Sequence, residues 1–201
     1  MLKRAPLPII SLMFLLMAGS ATAMSATFNG ASLQGATGTL DITETTTDGT
    51  YSVVWSLDPE GYEGSATNHP YLTDIGFKAF HSVSSVSLVS IAPGGNTADD
   101  PLLGGISNAG CTAGSSGGFV CITNIDPMIE VAGATEMIEA TFLVEGDLMD
   151  GEWSFKGKYG EGNGWVISES AAPVPEPSAA LVFGLGLVTV GIRLRREAAI
   201  A

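Results

Sequence analysis

The chain has 201 residues, 45% of them hydrophobic, and sets 21 acidic residues against eight basic ones for a net charge of −13. A field of that sign repels nucleic acid and anionic lipid, which excludes a protein that grips either by charge. The charge is also uneven: Lys3, Arg4, Arg193, Arg195 and Arg196 sit near the ends, so residues 24–172 keep only Lys78, Lys156 and Lys158 against nineteen acidic residues, a net −16.

In chain order, residues 1–23 read first as a secretory signal peptide. Lys3 and Arg4 give a positive start, residues 7–17 are nearly all apolar, and Ala21-Thr22-Ala23 supplies the small residues that signal peptidase requires, so cleavage is expected after Ala23. A retained membrane helix would need about 18 uninterrupted apolar residues, and Pro6, Pro8 and Ser11 break up a shorter run.

Residues 24–172 have the length of one domain, enough to bury about 68 to 70% of the unfolded chain's surface. No internal repeat of solenoid or propeller period is present. Alternation at 39–43 and 51–57 flanks Asp48-Gly49, a dipeptide that favours a tight hairpin turn. Further strands are expected at 72–80, 83–91, 119–123 and 137–145, and Asp150-Gly151 turns the chain into 153–159 and 165–168. Helix is confined to one turn within 126–132, ended by Gly133. Residues 93–118, rich in Gly, Asn, Ser and Asp, read as loops. The fold class expected is all-β: a single antiparallel β-sandwich or jelly-roll-like domain of about eight strands. Cys111 and Cys121 fall in the exported part, where an oxidising compartment lets them pair. Their bridge would clamp a glycine- and serine-rich loop and contribute about 2.5 to 3 kcal/mol.

Residues 173–178 form a proline-stiffened hinge, Val174-Pro175-Glu176-Pro177-Ser178 in its greater part. The apolar run 179–192 would make about 21 Å of helix against a hydrocarbon core of about 30 Å. Arg193, Arg195 and Arg196 follow it, and snorkelling arginines make up length and hold that end on the cytoplasmic side. Residues 179–201 are therefore expected to be a transmembrane sorting helix with a basic tail.

Pro175-Glu176-Pro177, a hydrophobic stretch and a terminal arginine cluster together resemble the PEP-CTERM sorting signal, also known as the "ice-binding protein C-terminal" domain. The resemblance covers about the last 25 residues, and the chain departs from the pattern in running on past the arginines to Ala201. It implies a Gram-negative bacterium that secretes exopolysaccharide, and recognition by an exosortase, a membrane-embedded cysteine protease that cuts near the Pro-Glu-Pro. Residues 152–170 also resemble the final strands of β-rich proteins of this kind, a likeness that implies no activity.

Chemistry is harder to find in the body. Gly114-Ser115-Ser116-Gly117-Gly118 matches G-x-S-x-G, but a nucleophile elbow needs a strand turning into a helix, and Ser116 lies in a clamped loop with only His69 and His81 as bases. Those histidines fit no zinc spacing. Calcium would find hard oxygen donors at Glu145, Asp147, Asp150 and Glu152 around one turn and at Asp99-Asp100, though no EF-hand spacing is present. Trp55, Tyr62, Tyr71, Trp153, Tyr159 and Trp165 are either sugar-stacking faces or core, core being the commoner fate of aromatics on strands. Thr43, Thr45 and Thr47 form one row, too small for a flat ice-binding surface.

The reading that results is a non-enzymatic exported protein with no cofactor and no metal. Held first at the inner membrane, it would then be delivered to the cell surface or extracellular matrix, where it serves exopolysaccharide or biofilm. Its expected partners are signal peptidase, an exosortase-like membrane protease and an extracellular polysaccharide. The alternative is a carbohydrate-binding module assisted by calcium.

Overall fold

Period-two alternation of apolar and polar residues, interrupted by glycine-bearing turns, commits this chain to strands, and strands commit it to pairing. The computed structural model describes residues 23–63, 71–94, 96–107, 109–114, 118–160 and 165–175, with the backbone alone at 165 and 175. Outside the described residues lie most of the expected signal peptide, His69, Ser116, Glu176 and the expected membrane segment 179–201. Among the described residues no helix is long and apolar enough to cross a membrane.

The strands are β1 (Ala23–Phe28), β2 (Thr37–Glu44), β3 (Thr50–Asp58), β4 (Tyr71–Lys78), β5 (Phe80–Ala92), β6 (Leu102–Ser107) and β7 (Gly110–Ala113). They continue with β8 (Phe119–Ile122), β9 (Ile129–Glu130), β10 (Ile138–Leu148), β11 (Trp153–Tyr159), β12 (Trp165–Ala171) and β13 (Val174–Pro175). One sheet runs β13-β1-β2-β3-β10-β5 and the other β12-β11-β4-β8-β6-β7, with β9 beside β4. Every pairing is antiparallel among the described residues.

The class is therefore the expected one, all-β with two antiparallel sheets over one core, but the described strands number thirteen where about eight were expected. All eight expected segments are strands, and β1, β6, β7, β9 and β13 are additional. The expected helical turn at 126–132 is absent. Instead Ile129 pairs with Leu72 and Glu130 with Tyr71, because Ile129 and Val131 are both buried and a strand delivers both inward. The first hairpin closes through a loop longer than a two-residue turn: Thr45 N–H donates to Thr50 O at 2.8 Å and Thr50 N–H to Thr47 O at 3.0 Å. Gly49, at φ +71°, takes the left-handed position that the Asp-Gly pair foretells.

Alternate residues of each sheet meet in a single core. Leu40, Ile42, Val53, Trp55, Phe142 and Val144 come from one side, and Leu72, Ile75, Phe77, Val120, Trp153 and Phe155 from the other. Phe155 lies parallel to Trp55 with ring centroids 4.4 Å apart and an interplanar angle of 9°, and it also stacks on Phe28 at 5.2 Å. Its ring occupies the space above Gly38, where an added Cβ would come within 2.7 Å of it. Packing alone holds this centre: Trp55 Nε1 and Tyr159 Oη are buried without a hydrogen-bond partner among the described residues, and each such group costs about 1–3 kcal/mol. Burial pushes the Tyr159 phenol far above its ordinary pKa.

A third layer covers part of the second sheet. β6 pairs with β8 only at Leu102 and Leu103, then passes Gly104 and pairs with β7 alone. An added Cβ at Gly104 would strike the Thr112 carbonyl, so only glycine lets the two strands approach this closely. Beyond it, Ile106 folds down over Gly76, on the face of β4 that points away from the core.

Replacing Phe155 by alanine removes the ring that both Trp55 and Phe28 stack on. The expected loss is about 3–5 kcal/mol, read from the urea unfolding transition.

Candidate functional site

The register of the second sheet builds a surface from three rows. Ser170, Ser154, Lys78 and Phe119 lie side by side across β12, β11, β4 and β8. The next row is Ser168, Lys156, Gly76 and Cys121, and the third holds Val166, Lys158 and Asp74. The residues between the first two rows, Phe155, Phe77 and Val120, point into the core, so the rows themselves point out. All three lysines of the body thus converge on one face of one sheet.

Two of them share an aromatic ring. Lys156 Nζ lies 4.5 Å and Lys78 Nζ 5.2 Å from the centroid of Phe119, close enough for the ring quadrupole to hold both ammonium groups. Neither has a carboxylate within 4.0 Å among the described residues. Burial lowers the pKa of Lys156 below the ordinary lysine value, and the Lys78 charge lowers it further.

Lys158 has a different role. Its Nζ stands 3.6 Å from Asp74 Oδ2, and the two side chains are 7% and 2% exposed. Asp74 also accepts the Thr73 hydroxyl at 2.8 Å and the Cys111 N–H at 3.2 Å. Gly110, at φ +105°, leaves no Cβ to crowd that carboxylate, from which one would stand only 3.1 Å away. Asp74 therefore fastens the β6–β7 hairpin to the sheet beneath it through the Cys111 N–H, while the ion pair joins β4 to β11, at the wall of an open cleft of about 510 Å³ that Thr123, Asn124 and Asp126 also line.

The disulfide does the same from the other side. Cys111 on β7 and Cys121 on the outer face of β8 are bonded as expected, with Cα atoms 5.9 Å apart. The segment 93–118 is thus not loop throughout, because the bridge and Asp74 hold a hairpin within it.

Other expected site residues fall as follows. Val174 and Pro175 form β13 on the edge of β1, with Pro175 opposite Met24 and Val174 opposite Ser25. Glu176, Pro177, Ser178, Arg193, Arg195 and Arg196 lie outside the described residues. Trp55, Trp153 and Tyr159 are fully buried and are core, not sugar platforms. Tyr62 packs edge-on against Tyr159 at 5.2 Å, while Tyr71 is 37% exposed. His81 is exposed on β5. Glu145 Oε2 accepts the Ser85 hydroxyl at 3.1 Å and the Asp99 carboxylate accepts the Asn124 amide. Among the described residues no group of three or more His, Cys, Asp or Glu side chains is arranged to hold a metal ion. Thr43 ends up on β2 while Thr45 and Thr47 bond to each other in the following loop, so the threonine row is broken.

No protein-family profile, curated protein or solved structure matches the chain. The lysine face escaped a reading of the sequence because Lys78 lies far along the chain from the other two. The one signal was numerical: these are the only cations of the body, and two of them, at 156 and 158, share the period of a strand face.

Two sets of variants test how the hairpin is fastened. Replacing Cys111 and Cys121 together by serine is expected to lower stability by about 2.5 to 3 kcal/mol. Asp74→Asn strands a buried ammonium group and is expected to cost about 3–5 kcal/mol by denaturant titration. Lys158→Met should cost less than Asp74→Asn, since Asp74 keeps the Thr73 and Cys111 donors.

Proposed function

We propose that this chain is an exported surface protein, non-enzymatic, whose β-sandwich is delivered to the outside of the cell by signals at its two ends. In this reading signal peptidase removes residues 1–23, the run 179–201 holds the protein in the inner membrane as a helix, and an exosortase-like protease recognises Pro175-Glu176-Pro177. The body then serves the cell surface or the extracellular polysaccharide matrix.

The observation that carries the reading is the pairing of Met24 with Pro175. The first residue expected after signal cleavage lies beside the first proline of the sorting motif, on one edge of one sheet. Among the described residues every core residue falls between these two points, so cuts outside them remove none of the described core. The disulfide adds support, since it belongs to an oxidising compartment outside the cytoplasm. The chemistry of the recognition signals is consistent with this division: they are read as linear sequence, whereas the body is read as a surface.

Replacing Pro175, Glu176 and Pro177 together by alanine is expected to leave the tail attached and the chain in the membrane fraction, measured as intact mass. Release of that variant at the normal rate would overturn the sorting assignment.

A further inference from the structure

The face made by β12, β11 and β4 holds the one concentration of positive charge in a body that otherwise carries nineteen acidic residues. Lys78 and Lys156 are drawn over the same ring, and bringing two like charges together is unfavourable unless something offsets it. Lys158 spends its charge on Asp74, but Lys78 and Lys156 have no carboxylate within 4.0 Å among the described residues. An anion seated between them would relieve the repulsion and gain two charge-assisted hydrogen bonds.

The surroundings narrow the kind of anion. Ser154, Ser168 and Ser170 stand on the same outward face, the latter two exposed, with the Ser154 and Ser170 hydroxyls 3.4 Å from each other. Hydroxyls both donate and accept, and here they are set out at the pitch of a sheet, about 7 Å along a strand and about 5 Å across it. Phe119 is the aromatic of this platform, and its ring is already shared by the lysines. A surface of this make-up offers little to an apolar chain or a lipid tail and much to a flat ligand rich in hydroxyl groups.

We propose that Lys78, Lys156, Ser154 of β11 and Ser168 and Ser170 of β12 form a binding site for a carboxylated oligosaccharide, the carboxylate resting between the two ammonium groups and the sugar hydroxyls meeting the serines. The acidic remainder of the body repels densely charged polymers at long range, so the site selects sparsely charged or short acidic sugars. The assignment does not depend on the sorting reading: it concerns the folded body alone and survives if the tail is never cut. Lys156 also supplies a probe, because an amine whose pKa is lowered reacts faster with acylating reagents near neutral pH.

The test uses the full chain in detergent, with trigalacturonate as the ligand, trigalactose as its neutral counterpart and a glutamate hexapeptide as a non-sugar polyanion. Trigalacturonate is expected to slow acylation of Lys78 and Lys156, mapped by mass spectrometry, by about fivefold or more, and the other two probes to leave it within about twofold. Lys78→Met and Lys156→Met keep an apolar stem against Phe119 and should each weaken trigalacturonate binding by about tenfold, with the unfolding midpoint unchanged. Equal protection by trigalactose would overturn the role of charge, and equal protection by the peptide would overturn the sugar. Unaltered affinity in both folded lysine variants, or no protection by trigalacturonate, would overturn the site itself.

Discussion

The ring of Phe155 is the contact on which the rest of this sandwich depends. It lies flat against Trp55 from the opposite sheet, stacks on Phe28 from β1 and fills the space that Gly38 leaves empty. Fixing Phe155 inward also fixes its neighbours outward. Alternation along β11 then allows Lys156 and Lys158 only one direction, away from the core, and the β11–β4 register sets them beside Lys78 and Asp74. The polar surface is thus a geometrical consequence of the apolar one: a slip of one residue in that register would bury two lysines and expose three aromatic rings, Trp153, Phe155 and Tyr159.

The second constraint is polar and local. Asp74 collects a hydroxyl, a backbone N–H and an ammonium group, and two of its three partners tie the hairpin or the neighbouring strand to β4. A buried carboxylate with that many donors is tolerable where an isolated one would not be. Together with the cysteine bridge it keeps a glycine-rich segment folded over a sheet face where Ile106 covers Gly76. Neither fastening bonds to Lys78 or Lys156, whose ammonium groups lie over Phe119.

How much of this could be read from the sequence follows the range of each interaction. The eight expected strands are legible because alternation is a local property and survives without knowledge of partners. The five that escape notice are short, glycine-bearing or proline-bearing, or abut the expected signal peptide, and each is a strand only because another strand lies alongside. β9 shows it plainly, two residues long and defined by Tyr71 and Leu72. The cysteine pairing is legible from compartment and count. Whether Trp55, Trp153 and Tyr159 line a surface or a core is not, since the same residue types serve both, and only the second sheet decides it. The lysine face lies further still from local reading, because it requires the pairing of β4 with β11 across a long stretch of intervening chain.

The pairing of β13 with β1 has one more consequence, for the order of the chain. Since β1 and β13 are antiparallel neighbours, the backbone runs from Met24 round both sheets and returns to the strand it left. The polypeptide is in effect a ring opened at a single point, and a hairpin turn of a few residues would close it. A circular permutant joined there and reopened in the loop at Asp48-Gly49 would preserve every ladder in both sheets, so this fold does not require the chain to open between β13 and β1.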